Sequence, residues 1–441
     1  MAIAQKQLSV ADYDLSPRTD ISPIANSLSP IVRTALLAAV FLVLCISFQP
    51  FQSLAEAPDA SPSGNVVTQV GYSILFLLLA AWCLFHEPRR LLMLARPVFI
   101  GTLCWVFLCV VTSWEPSLSA RRFAFALLTI GIAGMVMLLA KSTRHFGDTL
   151  GVVVLIVLLA SYFGVIFAPE LSIHQATDFA EPELAGDWRG VFAHKNTAGA
   201  IVALFIFVGL FVARARSLLF GGLLVALSVP FLVLTGSKTS IVLLPVVLIV
   251  SFVIARMCCA YFGVGFALLI LVAFNVLTVG SIYIAPVHDF LVATMSDPTF
   301  TGRTDVWRFS VAQIMAHPIA GYGFSTFWGT EEVLYGMGAN SSWANTAGHA
   351  HNGYLELALT LGIPGMVLMI LWLIVLPIRD YYRASRDPAS VALNLLFLRI
   401  CLFGAYQSCF ESGFMEVGVL WFFPILAAFG LRFSAVARVN H

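Results

Sequence analysis

Twelve stretches of predominantly apolar residues alternate along the chain with polar connections. Their cores fall at 31–48, 66–85, 97–114, 123–140, 150–168, 196–213, 218–235, 239–255, 259–285, 353–377, 391–410 and 416–433. A helix needs about 20 such residues to cross about 30 Å of hydrocarbon, and only helices or closed barrels satisfy their backbone in lipid. The pattern therefore predicts an all-α polytopic membrane protein with about 12 transmembrane helices. Two connections break the rhythm, at about 168–195 and 286–350. Long connections in a compact chain are where binding and chemistry concentrate. Within the second, Trp307, Val311 and Ile314 recur at helical spacing behind the candidate cap Thr304, and Gly321-Tyr322-Gly323 then turns the chain. No internal repeat points to a transporter of inverted halves.

Composition agrees with a membrane chain. Of 441 residues, 60% are hydrophobic and 11% charged, against about 25% charged in ordinary soluble domains. A net charge of +1 predicts no nucleic-acid partner, so the placement of the charges carries more than their sum. With the N-terminus cytoplasmic, sixteen of the 24 Lys and Arg fall on inside segments and seven on outside segments, while Arg399 lies in a span. That asymmetry predicts both termini cytoplasmic and both long loops outside. The expected organisation is a disordered cytoplasmic tail at 1–29 and transmembrane helices 1–9 over 30–285, interrupted by the loop at about 168–195. The large loop at 286–350, helices 10–12 over 351–433 and a cytoplasmic tail at 434–441 complete it. The eight cysteines lie in apolar spans or at span ends without a C-x-x-C pattern, so neither a disulfide framework nor a zinc site follows.

Three polar constellations stand out on the outside segments. Asp187-Trp188-Arg189-Gly190-Val191-Phe192-Ala193-His194-Lys195-Asn196 closes the first long loop. Its cations either offset Glu181, Glu183 and Asp187 or bind an anion, and against a cation-poor outside surface Arg189 and Lys195 read as anion ligands. Thr301-Gly302-Arg303-Thr304-Asp305-Val306-Trp307 puts a guanidinium at a helix start, a geometry suited to phosphate unless Asp305 or Asp297 takes it locally. His349-Ala350-His351-Asn352-Gly353-Tyr354-Leu355-Glu356 opens the tenth span, with Asn352 as a helix cap. The positive end of that helix disfavours imidazolium at His351, which makes it a candidate general base. The H-x-H spacing invites a metal reading, but no further ligands are evident nearby, and none is assigned. Glu356, inside a span, should face the protein interior. Arg399 needs a partner there, with Glu411 and Glu416 as candidates, and Arg121 and Arg122 either snorkel or hold a lipid phosphate.

In their order and spacing these parts resemble the O-antigen ligase and Wzy-type polysaccharide polymerase superfamily, including exopolysaccharide polymerases. The resemblance rests on W-R-G-V-F-A-H-K-N at 188–196, T-G-R-T-D-V-W at 301–307 with G-Y-G-F at 321–324, and H-A-H-N-G-Y-L-E at 349–356. The ligase pattern of a His, a small polar residue and two glycines is matched by His351, Asn352, Gly362 and Gly365. The resemblance implies a metal-independent, GT-C-type glycosyltransferase without cofactors in the bacterial inner membrane, its site facing the periplasm. The implied donor is a glycan on undecaprenyl diphosphate, and the implied acceptor is either another glycan or lipid A core. Carried over, His351 is the catalytic base and Arg189 and Arg303 hold the diphosphate, with Lys195 and Arg122 as additions and Asn352, His349, His194 and Glu356 in support. Membrane lipids, a chain-length regulator and export machinery are the further partners implied. The H-K-N sequence at 194–196 leans toward polymerase over ligase. A lipid-linked oligosaccharide flippase and a non-catalytic export scaffold are the readings from other classes.

Overall fold

The computed structural model describes residues 30–46, 50–55, 66–295, 297–336, 344, 347–415 and 418–439; the tail expected at 1–29, and Glu416, lie outside them. Every predicted span contains a helix: α1 (Pro30–Ile46), α2 (Val66–His86), α3 (Pro97–Val111), α4 (Pro116–Leu139), α5 (Thr143–Phe167), α6 (Lys195–Ala215), α7 (Leu218–Leu234), α8 (Lys238–Arg256) and α9 (Ala260–Leu277). The large loop then holds α10 (Ala285–Thr294) and α11 (Arg303–Ala316). After it come α12 (Gly353–Ile370), continued through a wide turn at Leu371–Val375 into α13 (Leu376–Arg383), then α14 (Pro388–Gln407) and α15 (Val419–Val439). Among the described residues, nine helical segments are long and apolar enough to cross a bilayer, and α1, α3 and α7 are shorter apolar helices at three further predicted spans.

Helix starts depart from the apolar cores for a local reason. Pro116 opens α4, and Ser142 caps α5 by accepting the amide of His145, so both helices begin several residues before their apolar cores. Arg121 and Arg122 consequently sit inside α4 rather than ahead of it. At the other end, α15 runs to Val439, past the span limit expected at 433.

Helices α6, α14 and α15 form the inner layer, with Phe207 of α6 and Phe403 of α14 packed edge to face. Outer helices keep large apolar side chains exposed, among them Leu77 and Leu78 on α2 and Phe262 and Leu269 on α9, a surface that suits lipid rather than water. All eight cysteines are unpaired.

The break in α12 positions the large loop. At Gly362 the backbone turns left-handed (φ 70°), and the loop 318–323 docks into the gap. Tyr322 and Gly323 donate their amides to the carbonyls of Leu359 and Thr360, while Ile363 donates to Pro318. A Cβ at Gly362 would stand 1.8 Å from the Ile319 carbonyl oxygen, so only glycine fits this crossing. Above it, α11 packs its Ile314 into a small core with Tyr322, Phe327 and Leu359. Trp307 and Ile314 are buried, as their spacing predicts.

Candidate active site

The helix carrying Arg303 starts from strained backbone. Phe300, Thr301 and Gly302 are all left-handed, and Gly302, not Thr304, occupies the cap position of α11. Asp297 steadies the turn by accepting the amides of Thr299 and Thr301 and the Thr299 hydroxyl, which hold its carboxyl below the usual range. The amides of Arg303, Thr304 and Asp305 bond carbonyls of this turn, so the backbone donors expected to face an anion are engaged. Neither local acid takes Arg303: Asp305 pairs with Arg308. Instead its Nη2 lies 2.8 Å from Glu411 Oε1, and its Nη1 donates to the Phe410 carbonyl.

The second entrant is His351, also in a left-handed conformation (φ 49°). Such backbone in a non-glycine residue persists only where its surroundings enforce it, and here they do. Asn352 is fully buried and caps α12 by accepting the amides of Tyr354 and Leu355, while its own amide group donates to Asn275 and to the Cys409 carbonyl. Gly353 donates to the Ser408 carbonyl, and the Tyr354 hydroxyl to that of Ala405. These bonds fasten the start of α12 to the end of α14, one step before Glu411. Glu356 faces inward, as expected for an acid in a span, and accepts from Ala350 N–H at 2.8 Å and Trp328 Nε1 at 2.9 Å. It therefore braces the His349-Ala350-His351 turn from behind.

Glu411, one of two candidate partners for Arg399, lies at the centre of the site instead. Its Oε2 is 3.4 Å from His351 Nδ1, and its Oε1 accepts from Arg303 and, at 3.3 Å, from Asn196 Nδ2. One carboxylate thus joins all three motifs. Burial raises its affinity for a proton, but the His351 hydrogen bond and the Arg303 charge outweigh it and hold Glu411 down at about 2. Arg399, for which Glu411 was the candidate partner, reaches Ser251 instead, since Glu411 sits beyond the end of α14 and Arg399 within it. The signal available in the sequence was a shortage: two cationic motifs at one membrane boundary required an anion, and Glu411 ends the span beside them.

His349 packs ring to ring with His351, centroids 4.0 Å apart, and its Nδ1 accepts the His351 amide. Burial, then the fields of His351 and Arg303, push it down to about 4 despite Glu411, so it is neutral near pH 7. Ligand atoms of His349, His351 and Glu411 lie within 4.8 Å of one another, which supplies the third metal ligand that the sequence did not reveal. Two lone pairs of that trio are already committed, His349 Nδ1 to an amide and Glu411 Oε1 to a guanidinium. A dication would also stand against the Arg303 charge.

The other predicted ligands lie in different surroundings. Arg189 is fully buried, its Nη2 donating to the Gln52 carbonyl at 2.8 Å and Nη1 to that of Phe192 at 3.3 Å. Its loop is fixed by an isolated antiparallel bridge between Ile173 and Trp188. Lys195 pairs with Asp187 at 2.5 Å, and Arg122 donates to the Ser325 carbonyl. His194 caps α6 through Nδ1, which accepts the Asn196 amide, leaving Nε2–H for Glu181 at 2.8 Å. Buried His174 donates from Nδ1 to Asp178 and accepts the Lys195 amide at Nε2, and burial disfavours its charged form. Two histidines thus hold the start of α6 so that Asn196 meets Glu411. Beside Glu411, Leu204, Phe403, Leu420 and Pro424 line a small apolar cavity of about 20 Å³.

The site is an Arg-His-Glu cluster carried on a multi-helix membrane fold. Residues 223–370, from α7 through α12, match a family described as O-Antigen ligase. The chain is also 27% identical over 266 residues to the exopolysaccharide production protein ExoQ of Rhizobium meliloti (strain 1021), covering 56% of this chain and 57% of that protein. The chain thus spans little more than half the length of this curated relative. Both similarities point the same way as the resemblance of the three motifs. The family segment includes Arg303, His349, His351, Asn352, Glu356, Gly362 and Gly365; Asn196 and Glu411 lie outside it.

Proposed function

We propose that this chain is a glycosyltransferase that moves a glycan from undecaprenyl diphosphate to an acceptor hydroxyl at the outer face of the bacterial inner membrane, and that it polymerises repeat units. The observation that carries this reading is the convergence of Arg303 and His351 on Glu411. Glu411 accepts Nδ1–H of His351, which makes Nε2 the basic nitrogen, as a carboxylate does for a catalytic imidazole. The acceptor oxygen, losing its proton to Nε2, attacks the anomeric carbon. The bond from that carbon to the phosphate oxygen breaks, and the diphosphate leaves with the electron pair.

Charge develops on the departing diphosphate, so a fixed guanidinium stabilises the transition state more than the ground state. Arg303 is held in place by two acceptors and has five N–H donors, which leaves donors for phosphate oxygens. Lys195 and Arg122 are secondary ligands for the same diphosphate in this reading, and buried Arg189 holds the loop that presents Asn196. Twelve GT-C-type spans with both termini cytoplasmic are part of the proposal, as is chemistry without a metal.

The relative's role in exopolysaccharide production and the H-K-N sequence favour polymerase, while the O-antigen ligase match favours a ligase. Purified protein given a defined undecaprenyl-diphosphate oligosaccharide, with and without lipid A core, tests both. Longer carrier-linked glycans mean polymerase, and glycan on core means ligase. No glycosidic product from either mixture, or complete loss of product with EDTA, overturns the reading; a flippase gives the first result. His351→Ala is expected to abolish product while expression and unfolding temperature persist.

A further inference from the structure

The cavity of about 20 Å³ between α6, α14 and α15 lies against Glu411, the residue that joins Arg303 to His351. Most of its wall is apolar, from Leu204, Phe403 and Pro424 among others. The exception is the end of α14. Gln407 and Ser408 line the space there together with Glu411, and the Gln407 carbonyl accepts the amides of Phe410 and Glu411, which sets Gln407 and Glu411 one turn apart. A space of this size admits about one water, since about 10–15 Å³ is the least that one needs.

One polar atom on that wall has no partner. Gln407 is 5% exposed, and no described residue donates to its buried side-chain oxygen Oε1. A buried amide oxygen is costly to leave unpaired, more so in apolar surroundings, and such groups are met by a protein donor or by an ordered water. The nearest hydroxyl in the chain does not serve it, because Ser408 Oγ donates to the Gly404 carbonyl at 2.8 Å. Glu411 is a second acceptor rather than a donor, since Arg303 and His351 keep its carboxyl ionised at neutral pH. That carboxylate takes Arg303 and Asn196 on Oε1 and His351 at 3.4 Å on Oε2, and such a group offers about four acceptor positions. Two acceptors on the wall of a one-water space call for a molecule with two donors.

We propose that a single water binds in this cavity, donating one hydrogen bond to Gln407 Oε1 and the other to the Glu411 carboxylate, and that Gln407 is thereby a positioning residue for the pair Glu411 and His351. The bridge gives Glu411 a fourth donor, anchored on the rigid end of α14, and resists rotation of the carboxylate away from His351 Nδ1. A water does this without adding charge. A metal cation needs about six oxygens, and it would stand beside the Arg303 guanidinium that Glu411 already holds. The role of Gln407 rests on the glycosyl-transfer reading, whereas the water site itself does not.

A cryo-EM map of the full chain, at a resolution that shows ordered waters, tests the site directly. One peak within hydrogen-bond distance of both the Gln407 amide oxygen and the Glu411 carboxylate is expected. A map without that peak, with Gln407 bonded directly to a protein group or the cavity closed by its neighbours, overturns the site and the role together. The role is tested by Gln407→Met, which keeps the length of the side chain and offers no comparable acceptor. Turnover with the defined donor is expected to fall about three- to tenfold, the size of one ordinary hydrogen bond, with KM and unfolding temperature nearly unchanged. Turnover equal to the parent's, or a lowered unfolding temperature with turnover per folded molecule kept, overturns the positioning role. A parent that yields no glycosidic product overturns the reaction, while the map still decides the water. Should Gln407→Met fail to fold, the map of the unaltered chain decides both.

Discussion

The guanidinium of Arg303 and the carboxylate of Glu411, 2.8 Å apart, tie the loop helix α11 to the chain leaving α14. Each side chain is about one-fifth exposed, so the pair is shielded from bulk water but open to a ligand. The same carboxylate reaches His351, and the proposed base and anion ligand therefore share one counter-ion. A substrate diphosphate competing for Arg303 would change the field felt by His351 in the same step. In the proposed reaction this arrangement would couple donor binding to activation of the acceptor.

That coupling gives the first prediction. Glu411→Gln keeps the volume and an acceptor for Arg303, but it removes the charge that orients His351. Turnover is expected to fall by about 10²-fold or more, with KM changed much less, as when a carboxylate behind a catalytic imidazole is neutralised. Steady-state rates with the defined donor measure this. A variant within about threefold of the parent would remove Glu411 from the mechanism.

How much of this was readable in the sequence follows from which forces are local. The apolar cores anticipated where the helices lie, because a run of apolar residues is a local signal, and nine of the helical segments among the described residues are long enough to cross a bilayer. Asn352 was legible as a cap, and Trp307 and Ile314 as the buried face of a loop helix, since both depend on neighbours within a few residues. Glu411 was not, because its partners Asn196, Arg303 and His351 come from three remote segments. Arg189 illustrates the converse. Its cationic neighbourhood suggested an exposed ligand, yet the bridge of Ile173 with Trp188 turns it inward onto backbone carbonyls. Charge pattern shows where cations cluster, and tertiary packing decides which of them meet solvent.

The two arginines should consequently fail in different ways. Arg189→Met removes hydrogen bonds to two carbonyls, one buried and one half-buried, each worth about 1.5–3 kcal/mol when the donor is charged, so its main effect is lost stability. Arg303→Lys retains the charge near Glu411 but cannot supply a planar fork, so unfolding temperature should hold while turnover falls. Thermal unfolding and rate, measured on both variants, separate the roles. The opposite outcome, a stable but inactive Arg189→Met beside an unfolded Arg303→Lys, would reverse the assignment of the two residues.

The ionisation of the cluster yields the last prediction. Folding lowers His349 from 6.5 to about 4, chiefly through burial, so as pH drops below about 6.5 the unfolded chain takes up this proton before the folded one. Its contribution to stability is therefore complete above about 6.5 and is lost progressively toward 4. Glu411, lowered from 4.5 to about 2 because His351 and Arg303 outweigh its burial, contributes fully above 4.5 and loses that contribution on the way down to 2. The two windows follow one another, so acid should weaken the site first through His349 and then through Glu411. His349→Gln keeps an acceptor for the His351 amide but has no proton to gain. Unfolding temperature in detergent, followed from neutral pH down to about 5, should fall more steeply for the parent than for this variant, in which buried His174 still takes up a proton on unfolding. Equal slopes for the two proteins would mean that His349 accepts its proton as readily when folded as when unfolded, and the burial argument for a neutral ring beside His351 would fail.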